Sequence, residues 1–419
     1  MRVDARHCVA AACLAVIGVC ALLPGWFADR RPVPVDDRAD REFTVTSGAD
    51  RGAGSLREAL FGAASAGKRA RIVLRAPRIE PRSPLPPVVN PEGVLIEAEG
   101  PGIEIDARAL AGGPVIDVDS RNSILRGFSI RGAPEQAVLA RAQGLRLSEM
   151  RIEGSDEAVH VAEGLRSVLI DGNEFVDNRI GIRLAASGNG VLVRDNRFSG
   201  HQDAAVWAVG SRFEGRGAGA IALRDNWFSD DRVSLVLGNA AVQVENNEFE
   251  RARDSAVYLV GEGAVVRGNR IRNGSGSGVI AQGAHGAVIE NNELDHLAAL
   301  AILVRGSRDI LVRRNRLHHN GYGIAFVLGE AARPGVAREN VLLAQRYDGI
   351  VVIGDSPVLR DNRVLTSRQA GLRLLEFVPL DGRRVAAEPL MLANVWDGNG
   401  QNDAVRGTYL QTRAEARRP

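Results

Sequence analysis

Asparagine returns along this chain at an interval that few folds can accommodate. Asn173, Asn196, Asn226, Asn247, Asn269, Asn292, Asn315, Asn340 and Asn362 follow one another at steps of 23, 30, 21, 22, 23, 23, 25 and 22 residues. A short apolar-alternating run precedes them (VLID, VLVR, IALR, VQVE, AVVR, AVIE, ILVR), and a second run follows a few residues later (GIRLA, AVWAV, AVYLV, AILVR, GIVVI, GLRLL). A fixed period of this size is the mark of a solenoid. Each unit carries β-branched runs punctuated by Gly, Asn and Asp, with no space for a helix of about ten residues. A leucine-rich repeat would need L-x-x-L-x-L, and the leucines are too scattered for it. Three short strands per unit remain, which predicts an all-β, right-handed parallel β-helix. The recurring Asn is expected where the chain turns sharply, because Asn tolerates left-handed φ. Stacked at about 4.8 Å per coil, such side chains can also hydrogen-bond along the axis. They are therefore read as structural, not catalytic.

A solenoid relaxes the usual inference from length, since each coil touches only its neighbours and 419 residues can form one domain. The 53 basic and 51 acidic residues give a net charge of +2, without the concentrated basic face of a nucleic-acid binder. Lys68 is the sole lysine, so a Brønsted base in the repeats must be Arg, His, Tyr, Asp or Glu. All three cysteines (Cys8, Cys13, Cys20) fall in the first apolar segment, which follows Arg2 and Arg6 and ends near Pro24-Gly25. Residues 1–28 read as a signal peptide or an uncleaved membrane anchor through residues 8–28, and either makes the body exported, periplasmic or secreted. Without that segment the chain has no thiol, which excludes disulfides and cysteine metal sites.

Residues 29–42 (DRRPVPVDDRADRE) read as a linker. Ser55-Leu56-Arg57-Glu58 is a capping box opening a short helix with Leu56, Leu60 and Ala63 on one face. Laid over the first coil, such a helix would cover the open strand edges and apolar core at that end. The pattern T-V-T…D…G-S-L-R-E-A-L at residues 44–60 resembles the opening of family-one pectate lyases, a resemblance that implies the same fold. The β-helix is expected over 43–390, with its N-terminal cap at 43–75. Residues 391–419 lose the period and are read as a C-terminal cap and tail.

Side chains flanked by inward apolar neighbours must point outward. In the second run that column reads Leu139, His160, Arg183, Trp207, Val236, Tyr258, Ile280, Leu303, Ala325, Val351 and Arg373. Trp and Tyr beside Arg and His suit a groove for a polymer of uronic acids, offering flat apolar faces to sugar rings and cations to carboxylates. The 30-residue step leaves an insertion, Gly210 to Gly219, just after the Trp207 run. Turns entering these strands carry Asp156, Asp203, Asp231 and Asp254, with His201 two residues before Asp203. The expected site joins His201, Asp203, Trp207 and Tyr258 in one patch, with Asp231 and Asp254 as further substrate contacts.

Elimination or C5 epimerisation of a uronate needs a carboxylate neutraliser, a base and an acid. Arg183 is assigned to the first, His160 or His201 to the second, and Tyr258 to the third. Paired carboxylates for hydrolysis are represented only by Asp230-Asp231, and neighbours on a strand point to opposite faces; His318-His319 has the same geometry. No calcium-lyase acidic cluster, Asp-Pro-His triplet, phosphate loop, nucleophile elbow or Cys/His metal spacing occurs, so no metal or cofactor is expected. Two functions stay open: a lyase or epimerase acting on an acidic exopolysaccharide, and a non-catalytic envelope protein assisting polymer export or periplasmic metalloenzyme maturation. The aliphatic residues Ile280, Leu303, Val351, Ile353 and Leu375 mark either a protein-partner surface or a strip covered by the C-terminal tail or a loop.

Overall fold

Each repeat forms one coil of three short strands, as in Arg166–Asp171, Glu174–Val176 and Ile180–Leu184. The computed structural model describes residues 38–185, 189–209, 221–238, 242–329 and 332–411. The N-terminal segment 1–28, most of the linker, the insertion at Gly210–Gly219 and the final residues of the tail lie outside that set. Corresponding strands of successive coils pair in parallel, giving a first sheet of 15 strands, a second of 14 and a third of 13. The chain is thus an all-β parallel β-helix with one helix among the described residues.

Register explains the sequence pattern. One inward column of the first sheet runs Val193, Leu223, Val244, Val266, Ile289 and Val312, each paired with the next and each fully buried. On the second sheet Phe175, Phe198, Phe228 and Phe249 stack inside with ring centroids 4.9, 4.7 and 4.8 Å apart. Like stacks on like because every coil offers the same interior slot, and close-packed interiors tolerate little change of volume.

The recurring asparagines line the interior of the turn between the first and second sheets and are at most 2% exposed. Asn269 shows the pattern. Its Nδ2 donates to the Val244 carbonyl (2.9 Å) and to Asn292 Oδ1 (3.0 Å), while its Oδ1 accepts from the Asn247 backbone N–H (2.9 Å) and Nδ2 (3.1 Å). The same bonds continue coil by coil to Asn394. The expected left-handed backbone is displaced by one residue. Positive φ belongs to the residue before each ladder Asn, among them Asp195, Asp225, Asn246, Asn291 and Asp361. Asparagine recurs because its amide both donates and accepts in a buried turn, and the bend is made by its neighbour.

The helix spans Leu56–Ala64, with Ser55 Oγ accepting from the Glu58 N–H and Leu56, Ala59, Leu60 and Ala63 buried in the core. Glu58 Oε2 reaches the Gly54 N–H (2.6 Å) and not that of Ser55, so the box closes one residue early. The solenoid begins at Arg41, whose strand pairs with Ala70–Leu74, so the linker ends sooner than expected. At the other end Leu390–Leu392, Val395–Asp397 and Val405–Leu410 extend all three sheets. Residues 390–410 therefore form another coil where a cap was expected. Their apolar side chains are the most exposed of the late coils, Leu390, Met391, Leu392, Val395 and Leu410 being 43–66% accessible.

Candidate functional site

Backbone pairing sets the outward column of the third sheet in the expected order. Leu139 pairs with His160, His160 with Arg183, Arg183 with Trp207, Trp207 with Val236 and Val236 with Tyr258. The run continues through Ile280, Leu303, Ala325 and Val351 to Arg373. The N-terminal part is polar and aromatic. Arg183 lies over the Trp207 ring, its guanidinium carbon 5.7 Å from the centroid.

A carboxylate missed in the sequence organises this part. Glu157, 5% exposed, accepts from His160 Nδ1 at 2.8 Å and from the Arg183 Nε–H. Burial pushes its carboxyl up, but the hydrogen bonds and positive charges of His160 and Arg183 outweigh this and bring it down to about 2. Because the folded value is depressed, this contribution to stability is present above the ordinary value of 4.5 and is lost as pH falls through about 2. Glu157→Gln should therefore lose less stability than the native chain between about pH 5 and pH 2, as read from urea midpoints at each pH; equal losses would remove Glu157 as a source of the acid dependence.

The acidic turns are neutralised in series. Arg179 donates to Asp156 Oδ2 (2.9 Å) and Asp203 Oδ2 (2.9 Å), and Arg232 donates to Asp254 Oδ2 (2.8 Å). Asp203 and Asp254 thus reach the surface as members of a charge ladder. His201 and Asp231 do not join the patch. Both are 0% exposed, inside the turn between the second and third sheets. His201 Nδ1 stands 2.7 Å from Asp231 Oδ1, which also accepts the His201 backbone N–H at 3.1 Å. Asn178 and Asn320 occupy the same turn in other coils and make ladder bonds there, Asn178 Oδ1 accepting from Ser155 N–H and Asn320 Oδ1 from Leu297 N–H. His201 is a variant rung of a second internal ladder, shut off from a polymer outside. A corner residue can point inward without following the strand alternation, which is why the sequence placed it wrongly.

Beside the column, between the third and first sheets, an open cleft of about 530 Å³ is lined by Arg121, Arg141 and Arg166, with Asp119. Further along, Tyr322 and Tyr347 stack at 4.9 Å, and Arg373 clamps the buried Asp348 through Nε (2.6 Å) and Nη2 (2.9 Å). Burial and the Asp348 charge push the Tyr322 phenol up. Only Arg373 of this group was legible, as a member of the column. Of the aliphatic residues, Val351 is buried and Ile280, Leu303, Ile353 and Leu375 are half-buried.

Comparison with known proteins agrees with this architecture. Residues 212–364 match a family described as "right handed beta helix region". The chain is a right-handed parallel β-helix. Residues 92–212 of this β-helix match a family described as "periplasmic copper-binding protein (NosD)", and neither match reaches half of the chain. No curated protein sequence gives a significant match. Among solved structures, the catalytic unit of a GH87 α-1,3-glucanase from Streptomyces thermodiastaticus superposes with a TM-score of 0.54 at 16% identity, covering 87% of this β-helix and 69% of the glucanase unit. Tailspike protein 3 of bacteriophage CBA120 superposes with a TM-score of 0.50 at 12% identity, covering 78% of this chain and 58% of the tailspike. At these identities the likeness is one of fold.

Proposed function

We propose that the β-helix is an exported, periplasmic or secreted, protein that binds an acidic, uronate-containing polysaccharide along the outward column from His160 to Tyr258. The observation that carries this reading is the register of His160, Arg183, Trp207 and Tyr258 on one face. Rungs spaced about 4.8 Å apart offer an extended polymer an aromatic platform flanked by cations, and the arginine-lined cleft beside them adds positive charge. Support for export comes from residues 1–28 and from the partial match to a periplasmic family. The same location suits the alternative of an envelope scaffold.

Lyase or epimerase chemistry is the second reading, and one contact favours it. Glu157 orients His160 through Nδ1, so Nε2 is the ring nitrogen turned towards a ligand, and Arg183 stands one coil away to neutralise a substrate carboxylate. The intended acid, Tyr258, is four coils from His160, about 19 Å at the usual spacing, too far to act on the same carbon. His201 is buried and cannot replace His160. Binding is therefore the better-supported function of this face.

A panel of acidic polysaccharides titrated into the purified protein tests both readings. Trp207→Ala is expected to weaken binding at least about tenfold, with native coil structure retained by circular dichroism. Unchanged affinity would overturn the proposed surface. Ultraviolet-absorbing product or C5 proton exchange that disappears in His160→Ala would establish the catalytic reading.

A further inference from the structure

Away from that column, two dipeptides one coil apart build a cluster of metal-ligating groups. Asp295 ends a strand of the second sheet and His296 follows in a left-handed turn at φ 54°. One coil on, His318 ends the next strand and His319 follows at φ 53°. Asp295 and His318 are paired in register, so the two dipeptides lie side by side. Identical backbone bends carry the His296 and His319 imidazoles in the same direction, and the rings stack at 4.9 Å. Both Nδ1 atoms turn to one carboxylate oxygen: Asp295 Oδ1 is 2.9 Å from His296 Nδ1 and 3.5 Å from His319 Nδ1. That oxygen is buried and engages in no well-formed hydrogen bond.

We infer that Asp295, His296 and His319 form a site for one divalent transition-metal ion of the Zn²⁺ or Cu²⁺ class. Imidazole nitrogen with one carboxylate oxygen is the donor set such ions prefer, whereas Ca²⁺ and Mg²⁺ favour oxygen alone. The spacing fits. Ligands bound at 2.0–2.1 Å in a tetrahedron lie about 3.3 Å apart, and one donor atom from each residue already falls within 4.8 Å of the others. Both imidazoles are more than half exposed, so rotation of the rings can close the remaining gap and an ion can enter from solvent. The expectation of no metal rested on spacing within a single stretch, and here the ligands come from two coils.

The test uses the full chain freed of metal and titrated with Zn²⁺ by calorimetry and with Cu²⁺ by electron paramagnetic resonance. The wild type should bind one ion more per chain than His296→Ala/His319→Ala, and its Cu²⁺ spectrum should show nitrogen couplings absent from the variant. Single substitutions should weaken that site at least about tenfold, while His285→Ala leaves it unchanged. Zn²⁺ should raise the wild-type Tm by mass action and leave the double variant where it was. Equal stoichiometry, affinity and thermal shift in wild type and double variant, or no binding of either ion, would overturn the assignment.

Discussion

Asn269→Ala is expected to destabilise the protein by about 2–4 kcal/mol, among the larger effects of a single substitution. The side chain is 1% exposed and occupies an interior rung. Its removal leaves the Asn247 N–H without its acceptor, takes from Asn247 Nδ2 one of its three acceptors, and takes from the Val244 carbonyl the side-chain donor. Each stranded buried group costs about 1–3 kcal/mol. Asn269→Asp should do no better, since it keeps the acceptor, loses all three donated bonds and buries a charge. Asn291 supplies the contrast. It bends the chain at φ 55° one residue before Asn292 and is exposed, so Asn291→Ala should cost only the left-handed penalty of about 1–2 kcal/mol. Urea denaturation gives the ranking, and amide exchange should show the loss concentrated in the coils flanking residue 269, because a solenoid is coupled chiefly to its nearest neighbours. Equal costs at 269 and 291 would mean that the bend, not the amide ladder, holds the turn.

The second large effect is unequal at the two ends of one contact. His201→Ala should cost about 3–5 kcal/mol, because it strips a buried carboxylate of its closest partner. Asp231→Asn should cost much less, within about 1 kcal/mol of the native chain, since the amide keeps the Oδ1 acceptor of the His201 N–H and removes the need to bury a carboxylate. Asp231 Oδ2 makes no hydrogen bond, and an amide there would provide the N–H that Asn178 donates to the Ile152 carbonyl two coils earlier. His201→Asn/Asp231→Asn would then turn the segment into an ordinary amide ladder. Urea midpoints of the three variants decide the matter. A loss in Asp231→Asn as large as that in His201→Ala would show that the charge pair itself stabilises the fold. Neither substitution should alter polysaccharide binding by the outer face, which these residues do not reach.

The sequence alone determined the solenoid, the three strands per coil and the outward column. All three follow from a strict period combined with two-residue alternation, and parallel pairing then aligns every equivalent residue, as His160, Arg183 and Trp207 show. The corners escaped that logic. There one left-handed residue resets which way the next side chain points, so only the folded chain could put His201 and Asp231 inside and bring His296 and His319 together outside. The carboxylate Glu157 beneath His160 and Arg183 was hidden for a related reason. Its partners lie 3 and 26 residues away, and which of several nearby acids a guanidinium meets is settled by side-chain packing across coils, a tertiary property that no local pattern encodes.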